Sequence, residues 1–315
     1  MGIVPEKIYV AGHNGLVGSA LVREIESTGQ SQWIGASRSD FNLCDRQAVF
    51  DFMHENKPDA VIIAAAKVGG IVANNTYPVE FLTENVQVQS NLMDAAHSCK
   101  VPNLVFLGSS CIYPKYASQP INEDALLTGP LEETNEAYAI AKIAGVKLVQ
   151  AYRKEYGYRW TSAMPTNLYG PGDNFDLQSS HVLPALMRKF HEAKVSGTDS
   201  VTLWGSGQPK REFLHVDDLA KAVLFLLDEY DDPIAINVGT GVDVEIRQLA
   251  EMISTIVGFA GETNWDSSKP DGTPRKLLDV ARINSLGWQS SIDLIDGIES
   301  TYKWFLGAIA TGNLR

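Results

Sequence analysis

The sequence predicts an α/β fold, a doubly wound parallel sheet accompanied by a smaller C-terminal α/β domain. Three observations carry this. Lys7 to Ala11 is a short apolar run of strand type, followed by glycines at 12, 15 and 18 and then by helical spacing of apolar residues from Ser19 to Ile25. Strand-type and helix-type segments alternate thereafter, which implies parallel strands joined by crossover helices. A chain of 315 residues also exceeds what one hydrophobic core usually serves. The expected division is residues 1–170, with a return segment near 213–242, and residues 171–315.

The first turn reads Gly12-His13-Asn14-Gly15-Leu16-Val17-Gly18, a Gly-x-x-Gly-x-x-Gly spacing between strand and helix. Glycine lets the backbone turn tightly and approach a pyrophosphate, whose charge then meets free amides at the helix N-terminus. The expectation is a Rossmann-type dinucleotide site. Gln32 to Ala36 is the next strand, and it runs into Ser37-Arg38-Ser39 where an NAD site would place an acidic residue on the ribose diol. A guanidinium there matches a 2′-phosphate in charge and shape, so NADP(H) is favoured over NAD. Asn42 to Asp45 falls where a contact to adenine is expected.

Further along, residues 47–55 suit a helix and residues 59–66 a buried strand. Helical spacing follows from Asn85 to Cys99, a strand from Asn103 to Gly108, a long helix from Glu136 to Glu155 and a strand from Trp160 to Ala163. Residues 171–180 are rich in turn formers and mark the point where the chain leaves the sheet.

Composition narrows the function class. The apolar fraction of 44% is ordinary for a globular chain, and no apolar stretch is long enough to span a bilayer. The N-terminus lacks the pattern of a signal peptide, and three cysteines suit a reduced, cytoplasmic protein. A formal net charge of −12 disfavours nonspecific nucleic-acid binding, so an anionic small substrate requires a local cationic patch. No metal site is expected.

Tyr138-Ala-Ile-Ala-Lys142 carries the chemistry. Four residues apart on a helix, Tyr138 and Lys142 share a face. An ammonium within about 4–6 Å favours the phenolate and brings tyrosine into acid–base range. Ser109 follows the buried strand ending near Gly108, at the carboxyl edge where ligands bind open α/β sheets, and its hydroxyl can reach the same substrate oxygen. Hydride transfer to or from a carbonyl is the expected reaction class.

These motifs resemble the extended short-chain dehydrogenase/reductase superfamily, which works largely on nucleotide sugars. Four longer segments are similar to the GDP-L-fucose synthase family: residues 64–78 (AAAKVGGIVANNTYP), 108–114 (GSSCIYP), 164–170 (MPTNLYG) and 211–218 (REFLHVDD). The resemblance runs from about Ile8 to about Phe305. It implies epimerisation of a GDP-4-keto-6-deoxy-mannose at carbons 3 and 5, then reduction of the 4-ketone with NADPH. Both carbons adjoin the ketone, so their protons become acidic through an enolate, and inversion needs a proton carrier on each face. Cys111 and His181 match the family positions for these carriers, and which acts as base at each carbon stays open. For the cofactor the resemblance implies the glycine turn with Arg38, Asp45, Leu107, Lys142, Pro165, Asn167, Leu168 and His181. For the sugar nucleotide it implies Asn167, Lys189, Trp204, Arg211, Asp271 and Lys276. It also implies a homodimer through the helices beginning near Asn85 and Glu136.

Two departures are visible. Asn14 stands where some relatives carry Arg, which leaves Arg38 to supply more of the NADP preference, and Lys189 stands where Arg occurs, with loss of the bidentate fork. His215 reads as structural at a helix start, and Cys44 and Cys99 as packing residues. Rival readings are a redox-neutral nucleotide-sugar 4-epimerase or 4,6-dehydratase and a non-catalytic NADP-binding module. A dehydratase of this kind usually has paired acidic residues after the strand-end hydroxyl, where this chain has Cys111-Ile-Tyr.

Overall fold

A computed structural model describes residues 5–177, 179–269 and 271–314. Its centre is a six-stranded parallel sheet. The chain runs β1 (Lys7–Ala11), α1 (Leu16–Thr28), β2 (Gln32–Ile34), α2 (Arg46–Asn56), β3 (Ala60–Ile63), α3 (Ile71–Thr76), α4 (Pro78–Ser98), β4 (Asn103–Leu107), α5 (Glu136–Tyr156) and β5 (Arg159–Pro165). It continues through β6 (Asn167–Tyr169), α6 (Val182–Ser196), β7 (Ser200–Trp204), β8 (Lys210–His215), α7 (Val216–Glu229) and β9 (Ile236–Val238). The last elements are β10 (Asp243–Glu245), α8 (Ile246–Val257), β11 (Glu262–Asp266), β12 (Arg275–Lys276), α9 (Ala281–Ser285) and α10 (Leu294–Thr311).

The large sheet has the order β2-β1-β3-β4-β5-β9. The winding reverses between β1 and β3, and in a doubly wound sheet such a switch point opens a crevice at the carboxyl ends of the strands. β3 is buried on both faces, as a strand covered by helices on either side must be. Burial of Ile8, Val10, Leu104, Phe106 and Trp160 builds the first core.

Helix ends follow local chemistry. Asp45 caps α2 by accepting from the Ala48 amide, α4 starts on Pro78 at its first position, and α1 and α5 close on Gly29 and Gly157 with positive φ. The Pro78 start lies seven residues before Asn85, where apolar spacing alone placed it. The short helix α3 carries no periodicity long enough to announce itself. β2 ends at Ile34 instead of Ala36, because Gly35 packs its backbone onto the His13 ring, where a Cβ would lie 2.4 Å from Nδ1.

Two smaller sheets follow. β8 is flanked by β10 (antiparallel) and β12 (parallel) and also pairs with β6, while β7 pairs with β11. With α6, α8 and α10 they bury a second core that includes Phe175, Met187, Phe190, Leu249, Ile253 and Phe305. Between β8 and β10 the chain returns to the large sheet: α7 packs on α1, and β9 pairs with β5. Among the described residues no helix is long and apolar enough to cross a membrane.

One side chain ties these parts together. Glu212, in β8, is fully buried and accepts the amides of Thr240 (2.6 Å), Gly241 (2.8 Å) and Leu278 (3.0 Å). It thereby fixes the segment after β9 and the segment containing β12 against β8.

Candidate active site

At the crevice the glycine turn has the shape expected of a phosphate cradle. Gly12 has φ of +89°, and a Cβ on it would lie 2.7 Å from the Ala65 amide nitrogen. A Cβ on Gly18 would sit 2.0 Å from the Gly12 carbonyl oxygen, so only glycine allows α1 to pack this closely on the turn. No side chain caps α1, whose N-cap is Gly15, and the amides of its first turn are therefore free for an anion. Leu16 and Val17 pack partly against the core, and Asn14 is exposed. The His13 ring lies 5.5 Å from that of Trp33, with Nδ1 buried and unpartnered. Arg38 is exposed in the turn after β2, where Ser37 donates through its amide and hydroxyl to Asp40. Asp45 is committed in part to capping α2.

At the end of β4 the hydroxyl of Ser109 accepts the Cys111 amide at 3.2 Å and lies within hydrogen-bonding reach of the Tyr138 phenol. Tyr138 packs edge-on to Phe81, with ring centroids 6.4 Å apart. Lys142 is buried, and its Nζ donates to the Leu107 carbonyl at 2.8 Å and lies 5.8 Å from the centre of the Tyr138 ring. The sequence expectation that Lys142 acidifies the phenol is not met in the protein alone. Burial holds the Tyr138 phenol above its usual range, the charge of Cys111 adds to this, and the Ser109 hydrogen bond opposes it. The same burial pulls the Lys142 ammonium down to about 7. A phenol that keeps its proton is nevertheless the form needed to donate to a ketone oxygen.

Cys111 faces a small pocket that Asn135 and Lys276 also line. Its sulfur accepts from Asn135 Nδ2 at 3.4 Å and from Lys276 Nζ at 3.5 Å. His181, the N-cap of α6, is crowded by protein but still opens to the cleft. Burial, and then the charge of Lys276, hold its imidazole below the ordinary range. Lys276 thus stands against the Cys111 sulfur, and its charge also acts on His181. Asn135 was not foreseen. Its signal in the sequence is weak, an asparagine at a helix start three residues before Tyr138.

The cationic patch lies on the small sheets. Trp204 is 61% exposed, and Lys189 Nζ and Lys269 Nζ stand 5.7 Å and 5.5 Å from the centre of its ring system. Burial lowers the proton affinity of Lys189 and Arg211, and neither has a carboxylate within ion-pair distance among the described residues. Asp271 already accepts the amide and hydroxyl of Ser206 at 2.6 Å and 2.8 Å, which explains its position as a loop support before any contact with a base. Asn167 spends an amide hydrogen on the Glu212 carbonyl at 2.8 Å, and Pro165 and Leu168 lie in β5 and β6 beside it. His215 is buried as the N-cap of α7, accepting the Asp217 amide, a structural role as the sequence suggests. Cys44 and Cys99 are partly buried, and Cys99 Sγ is 3.6 Å from His54 Nδ1.

Residues 8–239 match the model of the NAD dependent epimerase/dehydratase family. The chain belongs to that family. Within it, the chain is 56% identical to GDP-L-fucose synthase 1 of Arabidopsis thaliana, over 95% of this chain and 93% of that one. It is 53% identical to GDP-L-fucose synthase of Escherichia coli (strain K12), over 96% and 97%. Among solved structures, a GDP-L-fucose synthetase from Naegleria fowleri bound to NADP superposes with a TM-score of 0.91 at 31% identity, covering 99% of this chain and 96% of that one. A doubly wound, Rossmann-like sheet is the fold of this epimerase/dehydratase family member, and it carries the strand-end Ser109, Tyr138 and Lys142 in one crevice.

Proposed function

We propose that the enzyme converts GDP-4-keto-6-deoxy-D-mannose to GDP-L-fucose, by epimerisation at carbons 3 and 5 followed by NADPH-dependent reduction at carbon 4. The observation that carries this reading is the presence of two reacting sets at one cleft. Ser109, Tyr138 and Lys142 form a set suited to a ketone, and Cys111 and His181, linked through Lys276, form a set suited to moving protons beside it. The names of the curated relatives and the NADP in the Naegleria structure support the substrate and the cofactor.

The cofactor fits the cradle. The residues that would hold it are the glycine turn from Gly12 to Gly18, where Gly12 and Gly18 leave no room for a Cβ, together with Arg38 at the 2′-phosphate and Lys142 near the reacting end. When bound, NADPH supplies the hydride that reduces carbon 4.

The side chains do the rest. Ser109 and Tyr138 hydrogen-bond the 4-oxygen and stabilise the enolate formed when a proton leaves carbon 3 or 5. Cys111 and His181 remove and return protons at those carbons, so that the carbon leaves with its configuration inverted and no net proton is lost. In the reduction Tyr138 delivers its proton to the 4-oxygen, and Lys142, able to hold or release a proton near neutral pH, restores it. Lys189, Arg211 and Trp204 form the cationic and aromatic surface for the GDP moiety.

We also propose a division into an NADP-binding unit, residues 1–170 with the return through α7 and β9, and a substrate-binding unit formed mainly by residues 171–315. A homodimer through α4 and α5, which pack on one another, and a cytoplasmic location complete the reading; the three cysteines are all free, as a reducing compartment allows.

The test is to follow NADPH absorbance with GDP-4-keto-6-deoxy-mannose and to determine the product's stereochemistry by NMR. Stoichiometric oxidation with a GDP-L-fucose product supports the reading. Turnover without NADPH consumption replaces it with a redox-neutral epimerase or dehydratase, and NADPH binding without any turnover replaces it with a non-catalytic module.

A further inference from the structure

Both residues of β12 line the pocket beside Cys111. Arg275 is neutralised by Asp243, with Nε 2.5 Å from the carboxylate. Lys276 is half-buried, and among the described residues no carboxylate lies within ion-pair distance of it. Its nearest recorded partner is the sulfur of Cys111, and its charge also reaches His181. The pocket it lines holds one other cation–carboxylate pair, Lys115 with Glu132 at 2.9 Å, and that carboxylate is therefore already spent.

The strand is held rigidly. Leu277 donates to Gln119 Oε1 at 2.8 Å and Leu278 to Glu212 Oε2 at 3.0 Å, while the Ile121 amide returns to the Leu277 carbonyl at 2.8 Å. Lys276 is thus fixed from both sides, unlike a surface lysine that follows its ligand. Asn135 also donates its amide to the sulfur while its own Oδ1 is buried and unpartnered, so the side chain is turned toward Cys111 at the expense of its oxygen.

We infer that Lys276, with Asn135 as second donor, is a positioning residue of the epimerisation half-reaction, one whose ammonium holds negative charge on the Cys111 sulfur. The inference rests on the proposed sugar chemistry and gives Lys276 a role other than the substrate binding that the family resemblance implies. A fixed ammonium beside the sulfur favours the proton-accepting form of Cys111, which takes the proton from the acidic carbon, while the proton delivered to the opposite face comes from His181 in its protonated form. The charged or titratable groups facing this pair are Tyr138, which senses Cys111 directly, the Lys115–Glu132 pair and Arg275, neutralised by Asp243.

The experiment compares wild type, Lys276→Met and Lys276→Arg. Iodoacetamide alkylation of Cys111 at fixed pH, resolved from Cys44 and Cys99 by peptide mass spectrometry, slows several-fold in Lys276→Met and recovers in Lys276→Arg. The His181 titration, assigned in NMR with a His181→Asn variant, moves to higher pH in Lys276→Met. With NADP⁺ present to prevent reduction, solvent deuterium uptake into GDP-4-keto-6-deoxy-mannose at saturation falls by roughly tenfold or more in Lys276→Met, with KM changed by less than about threefold. An unchanged alkylation rate overturns the inference, as does a rise in KM with saturated uptake unchanged, which would make Lys276 a substrate-binding residue only. Absence of uptake in wild type refutes the sugar reading instead, while alkylation and titration still decide the role of the charge. NADPH affinity kept in both variants controls for folding.

Discussion

Replacing Lys142 with methionine should abolish hydride transfer and at the same time stabilise the cofactor-free protein. Lys142 is 3% exposed, and burial lowers its ammonium from 10.5 to about 7. A difference of some 3.5 units between unfolded and folded chains corresponds to about 5 kcal/mol of stability withheld at or below neutral pH. Against this stand the hydrogen bond to the Leu107 carbonyl and the approach of Nζ to within 4.8 Å of the centre of the Phe106 ring, together worth about 1–3 kcal/mol. Methionine fills nearly the same volume without a charge, so Lys142→Met should gain roughly 2–4 kcal/mol at pH 7. The sign follows from proton binding. Between about pH 7 and 10.5 the unfolded wild type holds one proton more than the folded form, so wild-type stability rises by about 1.4 kcal/mol per pH unit relative to the variant. Urea denaturation of both proteins from pH 6.5 to 9.5 reads this directly. The expected result is an advantage for Lys142→Met that shrinks steadily as pH rises. A variant less stable than wild type at pH 7, or a gap that does not change with pH, would refute the assignment of a costly buried ammonium.

Three further outcomes are expected. Gly18→Ala places a methyl 2.0 Å from the Gly12 carbonyl oxygen and 2.6 Å from the His13 Cα, both backbone, so the turn must open; NADPH affinity measured by fluorescence should fall at least about tenfold, with stability lower by roughly 2–4 kcal/mol. Glu212→Gln keeps the shape but turns an NH₂ group toward one of the backbone amides now bound by the carboxylate, costing about 1–3 kcal/mol, and calorimetry should show a lower Tm; an unchanged Tm would mean that the three amides find other partners. Arg38→Ser should raise KM for NADPH by about tenfold while leaving KM for NADH nearly unchanged, and equal effects on both cofactors would remove Arg38 from 2′-phosphate recognition.

The glycine turn, the alternating strands and Tyr138-x-x-x-Lys142 were legible because each depends on local rules. A glycine spacing, a run of apolar residues and a four-residue helical interval are written in consecutive positions. The start of α4 at Pro78 was also written there, but as a proline at a first helical position, a signal that apolar periodicity does not see. Asn135 was less legible. Its contact with Cys111 spans a loop, and a helix-start asparagine ordinarily serves as a cap, yet no side-chain cap bond forms here.

By itself the sequence determined the fold class, the position of the glycine turn and the identity of the groups available for acid–base work. It could not determine their charge states. Those depend on how much protein surrounds each group and on which distant charge is brought near. Only the packing of α5 beneath β4 buries Lys142 enough to depress its ammonium and keeps the Tyr138 proton in place. Only the return of β12 to β8, pinned by Glu212, carries Lys276 across 165 positions of chain to the sulfur of Cys111. Solvation and Coulomb energy are properties of three-dimensional neighbourhood, and that neighbourhood was settled by the tertiary fold.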